Sequence, residues 1–264
     1  MHLDVVDLKA FYYRTSLGRW VQGTLQKKLR AIWPDVKGRR LEGFGFAAPF
    51  LRPFLGEAER VMSLMPAEQG VMAWPAGAPN LSALVEETRW PIDTASIDRL
   101  IVAHGLETCE SPSALLEEIW RVLDPNGRVI FIVPNRTGTW ARRDVTPFGY
   151  GRPYSFGQLD RQLRKHSFEP LRHDGALYAP PGYGKAGMRL AGSVEALGQR
   201  FDPQRLAGVL IVEARRAPQA RPQGTADVRR SALDLLGDLA SPAPKPATPI
   251  RGIGRLIAPS RAKR

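Results

Sequence analysis

The residues best able to take part in chemistry stand where predicted strands end. A strand over 40–47 ends in a run of small residues and phenylalanines, Gly43 to Ala47. Small residues let the backbone approach a ligand, and the start of the next helix offers free amide groups. His104 follows the apolar run 97–103, and a histidine there can accept a proton from a hydroxyl, amine or thiol. The alternative for His104 is a structural hydrogen bond to the neighbouring loop.

A second group of reactive side chains lies between residues 135 and 155. It combines guanidinium groups with aromatic rings, and its members are Arg136, Trp140, Arg142, Arg143, Tyr150, Arg152 and Tyr154. Guanidinium groups bind carboxylates and phosphates well, so this stretch predicts a substrate loop over an anionic acceptor. The alternative is a surface loop with solvated arginines, in which Ser155 only caps the next helix.

Other kinds of site have little support. A single cysteine, Cys109, excludes an intramolecular disulfide, and the four histidines lack the spacing of metal ligands. The chain does not begin with a signal-peptide pattern, and no apolar run approaches the ~18 residues of a membrane-spanning helix. We therefore expect no metal and a cytoplasmic protein.

The elements that position these residues alternate between helix and strand. Apolar spacing predicts a helix over 7–34, broken near Gly18, and a helix that begins at Ser111-Pro112 and ends at Asn126-Gly127. A further helix is expected over 155–166, and the segment 81–87 is ambiguous. The predicted strands are 40–47, 59–65, 97–103, 128–134 and 206–214. This order predicts an α/β fold with a doubly wound, mostly parallel Rossmann-like sheet, which binds ligands beyond the carboxyl ends of its strands.

The charge is concentrated at one end of the chain. The formal net charge is +12, and residues 215–264 carry eleven Lys/Arg and three Asp/Glu, or +8 of that total. Seven of the 23 prolines also lie there, so we expect a mostly disordered tail with one amphipathic helix over 225–239. The predicted domains are thus a helical extension over 1–34, a main domain over 35–214 and this tail.

The segment from Trp90 to Asn135 resembles the class I S-adenosylmethionine-dependent methyltransferases, most closely the branch of ubiquinone/menaquinone biosynthesis. The matching motifs are Trp90 to Asp93, Ser96 to Asp98, His104 to Glu107, Leu115 to Arg128 and Val133 to Asn135. The resemblance covers roughly residues 35 to 215. It implies the methyltransferase version of the doubly wound fold, and S-adenosylmethionine as cofactor.

The resemblance also implies a role for each matching position. The cofactor-binding residues would be Gly43, Phe44, Gly45, Ala47, Met65, Glu86, His104 and Leu106. The sequence departs from the family where an acidic residue normally holds the ribose. Met65-Pro66 stands there, and Glu68 is the nearest carboxylate. Leu41 likewise replaces the acidic residue of the first motif, and Ala47 replaces its third glycine.

The sequence thus predicts methyl transfer to a small-molecule acceptor, with His104 as the candidate catalytic base. The acceptor would enter between the loop 136–154 and the N-terminal helices. Because of the departures, a non-catalytic binding or regulatory protein on the same fold is the alternative. Nucleic-acid binding through the basic tail is a weaker one, and the sequence leaves the acceptor atom and the oligomeric state open.

Overall fold

A seven-stranded sheet forms the centre of the molecule. The computed structural model describes residues 3–142, 145–181, 185–201 and 206–217. The strands are β1 (Arg40–Gly45), β2 (Arg60–Pro66), β3 (Ser82–Val85), β4 (Ile97–Ala103), β5 (Leu123–Pro134), β6 (Phe168–Ala176) and β7 (Val209–Arg216). Their order in the sheet is β3-β2-β1-β4-β5-β7-β6, and β7 runs antiparallel to both of its neighbours. The predicted doubly wound, mostly parallel sheet is confirmed.

Helices cover both faces of the sheet. They are α1 (Val5–Arg14), α2 (Ser16–Ile32), α3 (Ala48–Leu51), α4 (Pro112–Val122), α5 (Phe156–Lys165) and α6 (Lys185–Phe201). Buried residues of α1, α2 and α3 share one hydrophobic cluster with β-strand residues such as Leu41 and Ile101. Those of α4 and α5 share the other cluster with Leu100 and Val102. Neighbouring strand residues face opposite sides, so the apolar run 97–103 fills both layers.

The first helical segment breaks at Thr15 and not near Gly18. Thr15 has extended backbone angles, and its side-chain oxygen accepts a hydrogen bond from Gly18 N at 2.9 Å, so it caps α2. Gly18 is nevertheless required, because a Cβ atom there would collide with the Phe11 carbonyl group. The turn of the chain therefore places α1 and α2 in direct contact.

Other boundaries also differ from the expectation. Ser111 makes no side-chain cap bond, and α4 ends at Val122, well before Asn126-Gly127, because Leu123 already pairs with Ile97. The ambiguous segment 81–87 contains the edge strand β3. Strand β6 and helix α6 were not predicted. Arg215 and Arg216, the first residues of the expected tail, belong to β7, whereas residues 218–264, with the expected helix over 225–239, lie outside the described residues. Within the described residues no helix is long and apolar enough to span a membrane.

The carboxyl group of Glu42 is buried near the amino ends of the strands. Its Oε1 accepts hydrogen bonds from Arg60 Nε at 2.8 Å and Nη2 at 2.6 Å. Its other oxygen has no partner among the described residues. Burial raises the pKa of Glu42 to about 7, and the charge of Arg60 offsets this only in part. Glu42 is therefore engaged at the edge opposite to the predicted ligand site.

We predict that Glu42→Gln reduces the pH dependence of stability. The folded chain holds the Glu42 proton more tightly than the unfolded chain, so this contribution stabilises the fold at low pH. It is lost as the pH rises from about 4.5 to about 7. Between about pH 5 and about pH 7, the free energy of unfolding of the wild type should fall by about 2 kcal/mol more than that of the variant. Urea denaturation at both pH values measures the free energy of unfolding. If this free energy changes with pH by the same amount in the wild type and in the variant, the burial of an ionisable group at this position is contradicted.

Candidate active site at the carboxyl edge of the sheet

The ends of β1 and β4 lie in contact with each other. Gly45 has φ +77°, and a Cβ atom there would collide with the Ala103 carbonyl oxygen and lie 2.9 Å from Gly105 N. The next amide, Phe46 N, donates to Ala103 O at 2.8 Å. Only glycine fits this close approach without strain. The predicted glycine turn therefore joins the two strands that flank the expected switch point.

Most of the predicted cofactor-binding residues are buried. Phe44 stacks on Trp90 at 4.7 Å between ring centres on one face of the sheet, where Leu106 also packs. Ala47 and Met65 belong to the core on the other face, and Gly43 packs against Ala47 and Leu51. The carboxylates Glu68 and Glu86 are exposed near the ends of β2 and β3. The nucleoside end of a cofactor site would thus be open, whereas its methionine end is covered.

Helix α1 covers this edge. Val5 N donates to Gln69 O at 2.8 Å, and the Gln69 side-chain amide donates to His104 O. Tyr12 stacks on Phe46 with their ring centres 5.8 Å apart. The gap in which the sequence predicts acceptor entry is therefore filled by a side chain of the N-terminal helix itself.

Tyr12, His104 and Glu107 form a buried row of polar groups. The Tyr12 hydroxyl lies 2.7 Å from His104 Nε2, and His104 Nδ1 lies 3.2 Å from Glu107 Oε1. The second distance lacks hydrogen-bond geometry, so Nδ1 and both Glu107 oxygens have no hydrogen-bond partner among the described residues. Buried polar atoms without partners are uncommon, so this row differs from ordinary core packing.

The backbone and the rings around this row hold it rigidly. His104 has φ +51°, a left-handed conformation that a histidine adopts at some cost. Phe148 packs against the His104 ring with centres 4.8 Å apart. Burial raises the pKa of Tyr12 well above 10, and the nearby Glu107 carboxyl group adds to this effect. Tyr12 therefore stays a neutral phenol in its contact with His104.

Backbone hydrogen bonds join the two ends of the predicted substrate loop. Arg136 N donates to Tyr154 O, and Tyr154 N donates to Pro134 O, at 2.9 and 3.0 Å. Ser155 then caps α5 in a reciprocal pair with Gln158. Trp140 is fully buried and donates from Nε1 to Ala179 O at 2.8 Å, so it anchors the loop to the core.

The arginines of this loop do not converge on one point. Arg136 donates to Pro153 O, and Arg142 donates to Thr137 O. Arg143 lies outside the described residues. Arg152 is exposed, and its backbone N donates to Glu107 O at 2.7 Å. The two described arginines that make contacts thus bind backbone carbonyl groups, which weakens the argument for an anionic acceptor.

An open cleft of about 580 Å³ separates the loop from the end of β4. Its walls are the segments 107–110 and 149–152, so it brings Tyr150 and Arg152 beside Glu107. Tyr154 lies behind it, and burial, with the Glu107 carboxyl group second, raises the pKa of Tyr154 to about 12. The cleft adjoins the buried row at Glu107.

Four residues of this site were missed by sequence reasoning. Tyr12 was placed only on the apolar face of a helix, and Glu107 only within a motif. Gln69 and Phe148 carried no signal that distinguished them. Of the four, Glu107 could have been found, since it lies three residues after His104 in a turn that follows a strand.

Comparisons with known proteins bear on the fold that carries these residues. Residues 44–131 match the family model described as a methyltransferase domain. The match covers a third of the chain and includes β2, β3, β4 and α4. No match was found among the curated proteins.

Solved structures share the fold at low sequence identity. A S-adenosylmethionine-dependent methyltransferase from Thermotoga maritima has a TM-score of 0.51 and 15% identity, with 78% of this chain and 97% of that chain covered. One from Mesorhizobium loti has a TM-score of 0.50 and 16% identity, with coverages of 72% and 96%. The [4+2]-cyclase SpnF has a TM-score of 0.52 and 19% identity, with coverages of 77% and 84%. These similarities confirm the predicted Rossmann-like methyltransferase fold.

We predict an energetic coupling between Tyr12 and His104. Tyr12→Phe keeps the ring and removes the hydroxyl, and His104→Leu removes both ring nitrogens. In a double-mutant cycle on the free energy of unfolding, the coupling should be about 1–2 kcal/mol, because the buried partner of each loses its hydrogen bond. The matched cycle of Tyr12→Phe with Glu59→Gln, an exposed residue at the opposite edge, should be additive. Additivity in both cycles would contradict the bond.

Proposed function

We propose that this protein is a S-adenosylmethionine-dependent methyltransferase that acts on a small molecule. The observation that carries the proposal is the strand order, with the β1–β4 contact at Gly45 inside the region that matches a methyltransferase domain. Parallel sheets of this kind bind ligands beyond the carboxyl ends of their strands at the switch point. The motifs in 90–135 favour the branch that resembles ubiquinone/menaquinone biosynthesis methyltransferases.

The residues at this edge fit the cofactor in part. The exposed carboxylates Glu68 and Glu86 suit the hydroxyl and amino groups of a nucleoside, and the backbone around Gly45 suits a close approach. Ala47 and Met65 have no exposed surface and belong to the core cluster that contains α1, so contact with them requires that α1 move when the cofactor binds. Phe44 is also buried, but it lies against Trp90 on the other face of the sheet, where movement of α1 does not expose it.

The chemistry divides between the cofactor and the chain. When bound, S-adenosylmethionine supplies a methyl group on a positively charged sulfur. His104 would accept the proton of the acceptor at Nε2, and the Glu107 carboxyl group beside Nδ1 would stabilise the imidazolium that results. The surrounding aromatic rings exclude water, and correct placement of the acceptor accounts for much of the rate.

A second candidate is a non-catalytic binding protein on the same fold. The burial of Phe44, Ala47, Met65 and Leu106 favours it, as does the absence of an acidic residue at the end of β2. SpnF, which shares the fold, is described as a cyclase and not as a methyltransferase. The fold alone therefore does not decide the reaction.

Titration calorimetry with S-adenosylmethionine separates the two candidates. We expect saturable binding that Glu86→Ala weakens about tenfold or more, since a hydrogen bond to a charged group is lost. The control Glu59→Ala removes an exposed carboxylate at the opposite edge and should leave Kd unchanged. If neither the wild type nor a Tyr12→Ala variant binds up to millimolar concentration, the methyltransferase proposal fails and the second candidate stands.

A further inference from the structure

A second, smaller cleft opens at the amino ends of the parallel strands, at the edge opposite to the candidate active site. This amino-edge cleft has a volume of about 250 Å³. Its walls come from the C-terminal half of α4, from the end of α5 and from the chain that leads into β6. The residues that line it are Glu117, Trp120, Lys165, His166 and Ser167. None of them takes part in the site described above.

Two buried nitrogen atoms belong to residues in the walls of this cleft and have no hydrogen-bond partner among the described residues. They are Nε1 of Trp120 and Nε2 of His166. The His166 side chain is only 8% exposed. An indole nitrogen can only donate, so the Trp120 N–H destabilises the fold unless a bound group accepts its proton.

The charged side chains around the amino-edge cleft favour an anion. Lys165 is exposed in the wall and forms no ion pair among the described residues. The guanidinium group of Arg216, from β7, lies over the Trp120 ring at 3.4 Å from the ring centre. The one carboxyl group in the wall is that of Glu117, whose side chain is 74% exposed. Because solvent screens an exposed charge strongly, Glu117 offsets the two cations only in part.

His166 supplies a second donor when its ring is protonated. Its Nδ1 lies 3.9 Å from Glu117 Oε1, close enough for an ion pair when the ring is charged. A charged imidazole donates from both nitrogens, so Nε2 is then free to donate to a ligand. The charged groups nearest to this ring in the cleft are Glu117 from α4 and Lys165 from α5, with Arg216 of β7 beyond Trp120.

We propose that the amino-edge cleft binds a small oxyanion, a carboxylate or a phosphate. The indole N–H of Trp120 and the protonated ring of His166 donate to its oxygens, and Lys165 adds a positive charge. Binding of the anion and protonation of His166 then strengthen each other, because only the charged ring offers a donor at both nitrogens. The site lies away from the proposed cofactor site, so it does not depend on the proposed function.

A titration of the unaltered protein tests the proposal. The indole N–H groups of the six tryptophans give separate signals in a ¹H–¹⁵N correlation spectrum, and Trp120→Phe identifies the signal of Trp120. Sodium acetate or inorganic phosphate is added, with sodium chloride holding the ionic strength constant. The Trp120 signal should shift saturably, with half-saturation at about 1–10 mM. The signal of Trp140, which donates to Ala179 O in the core, is the internal control and should not move.

The two anions distinguish the two sources of the oxyanion. A shift with acetate alone assigns the cleft to a carboxylate, a shift with phosphate alone assigns it to a phosphate, and a shift with both shows that the oxyanion itself is recognised. If neither anion moves the Trp120 signal, water or a direct contact between the two side chains accounts for the nitrogens, and the proposal is overturned.

Two variants test the donors. Trp120→Phe keeps an aromatic ring under Arg216 and removes the N–H, whereas His166→Leu removes both ring nitrogens. Each should weaken binding of the tighter anion by about tenfold or more, since a hydrogen bond to a charged group is lost. The backbone amide signal of Ser167, which both variants retain, reports the binding. Lys9→Gln, an exposed position on α1, is the control and should leave the affinity unchanged. Wild-type affinity in either cleft variant would overturn the proposal.

The pH dependence tests the protonated ring. Acetate and sulfate keep a constant charge between about pH 6 and about pH 8, the interval in which histidines commonly change charge, so sulfate replaces phosphate here. Wild-type affinity should be about threefold higher or more at the lower pH, because the charged ring has the additional donor. In His166→Leu the affinities at the two pH values should be equal. Equal affinities in the wild type, or the same ratio in the variant, would overturn the proposal.

Discussion

The hydrogen bond between Tyr12 and His104 joins residues 92 positions apart, and the arrangement of the carboxyl edge depends on it. His104 can meet Tyr12 only because it follows β4 in a left-handed conformation, with Gly45 and Gly105 making room beside it. Tyr12 can reach it only because Thr15 turns α1 over the sheet. The bond is thus the point where the N-terminal helix, β1 and β4 meet, and any ligand at this edge must either fit around it or break it.

Breaking the contact between α1 and the sheet costs free energy, and this cost determines how readily the carboxyl edge opens to a ligand. Leu8, Phe11 and Tyr12 are buried on α1, and each contributes about 1.5–3 kcal/mol when removed from water. A ligand that opens the edge must recover most of that free energy through its own contacts. The apparent affinity of such a ligand is reduced by the small population of the open state, and a first ligand that holds α1 away would strengthen the binding of a second. Cofactor and acceptor would then bind cooperatively.

The sequence predicted those features of the fold that depend on a single strand or helix. The apolar runs of β4 and β5 and the turn at Gly45 were predicted, because burial on both faces and a close approach of backbones leave direct marks in residue types. Strand β6 was missed since this edge strand has no alternating or continuous apolar pattern, and Leu171 and Arg172 in its middle are both exposed. The Tyr12–His104 bond could not be predicted for a different reason. Helical spacing identifies the buried face of a helix, but it does not identify the distant residue that this face contacts.

The residues that carry most of the net charge are not those that form the buried row at the carboxyl edge. Most of the net charge of +12 belongs to residues 215–264, while the buried row at the carboxyl edge consists of Tyr12, one histidine and one carboxyl group. Arg136 and Arg142 donate to carbonyl groups of their own loop, which stabilises its shape, whereas Arg152 lies beside Glu107 in the cleft. Overall charge affects how partners approach, whereas the groups that line a pocket determine what it accepts.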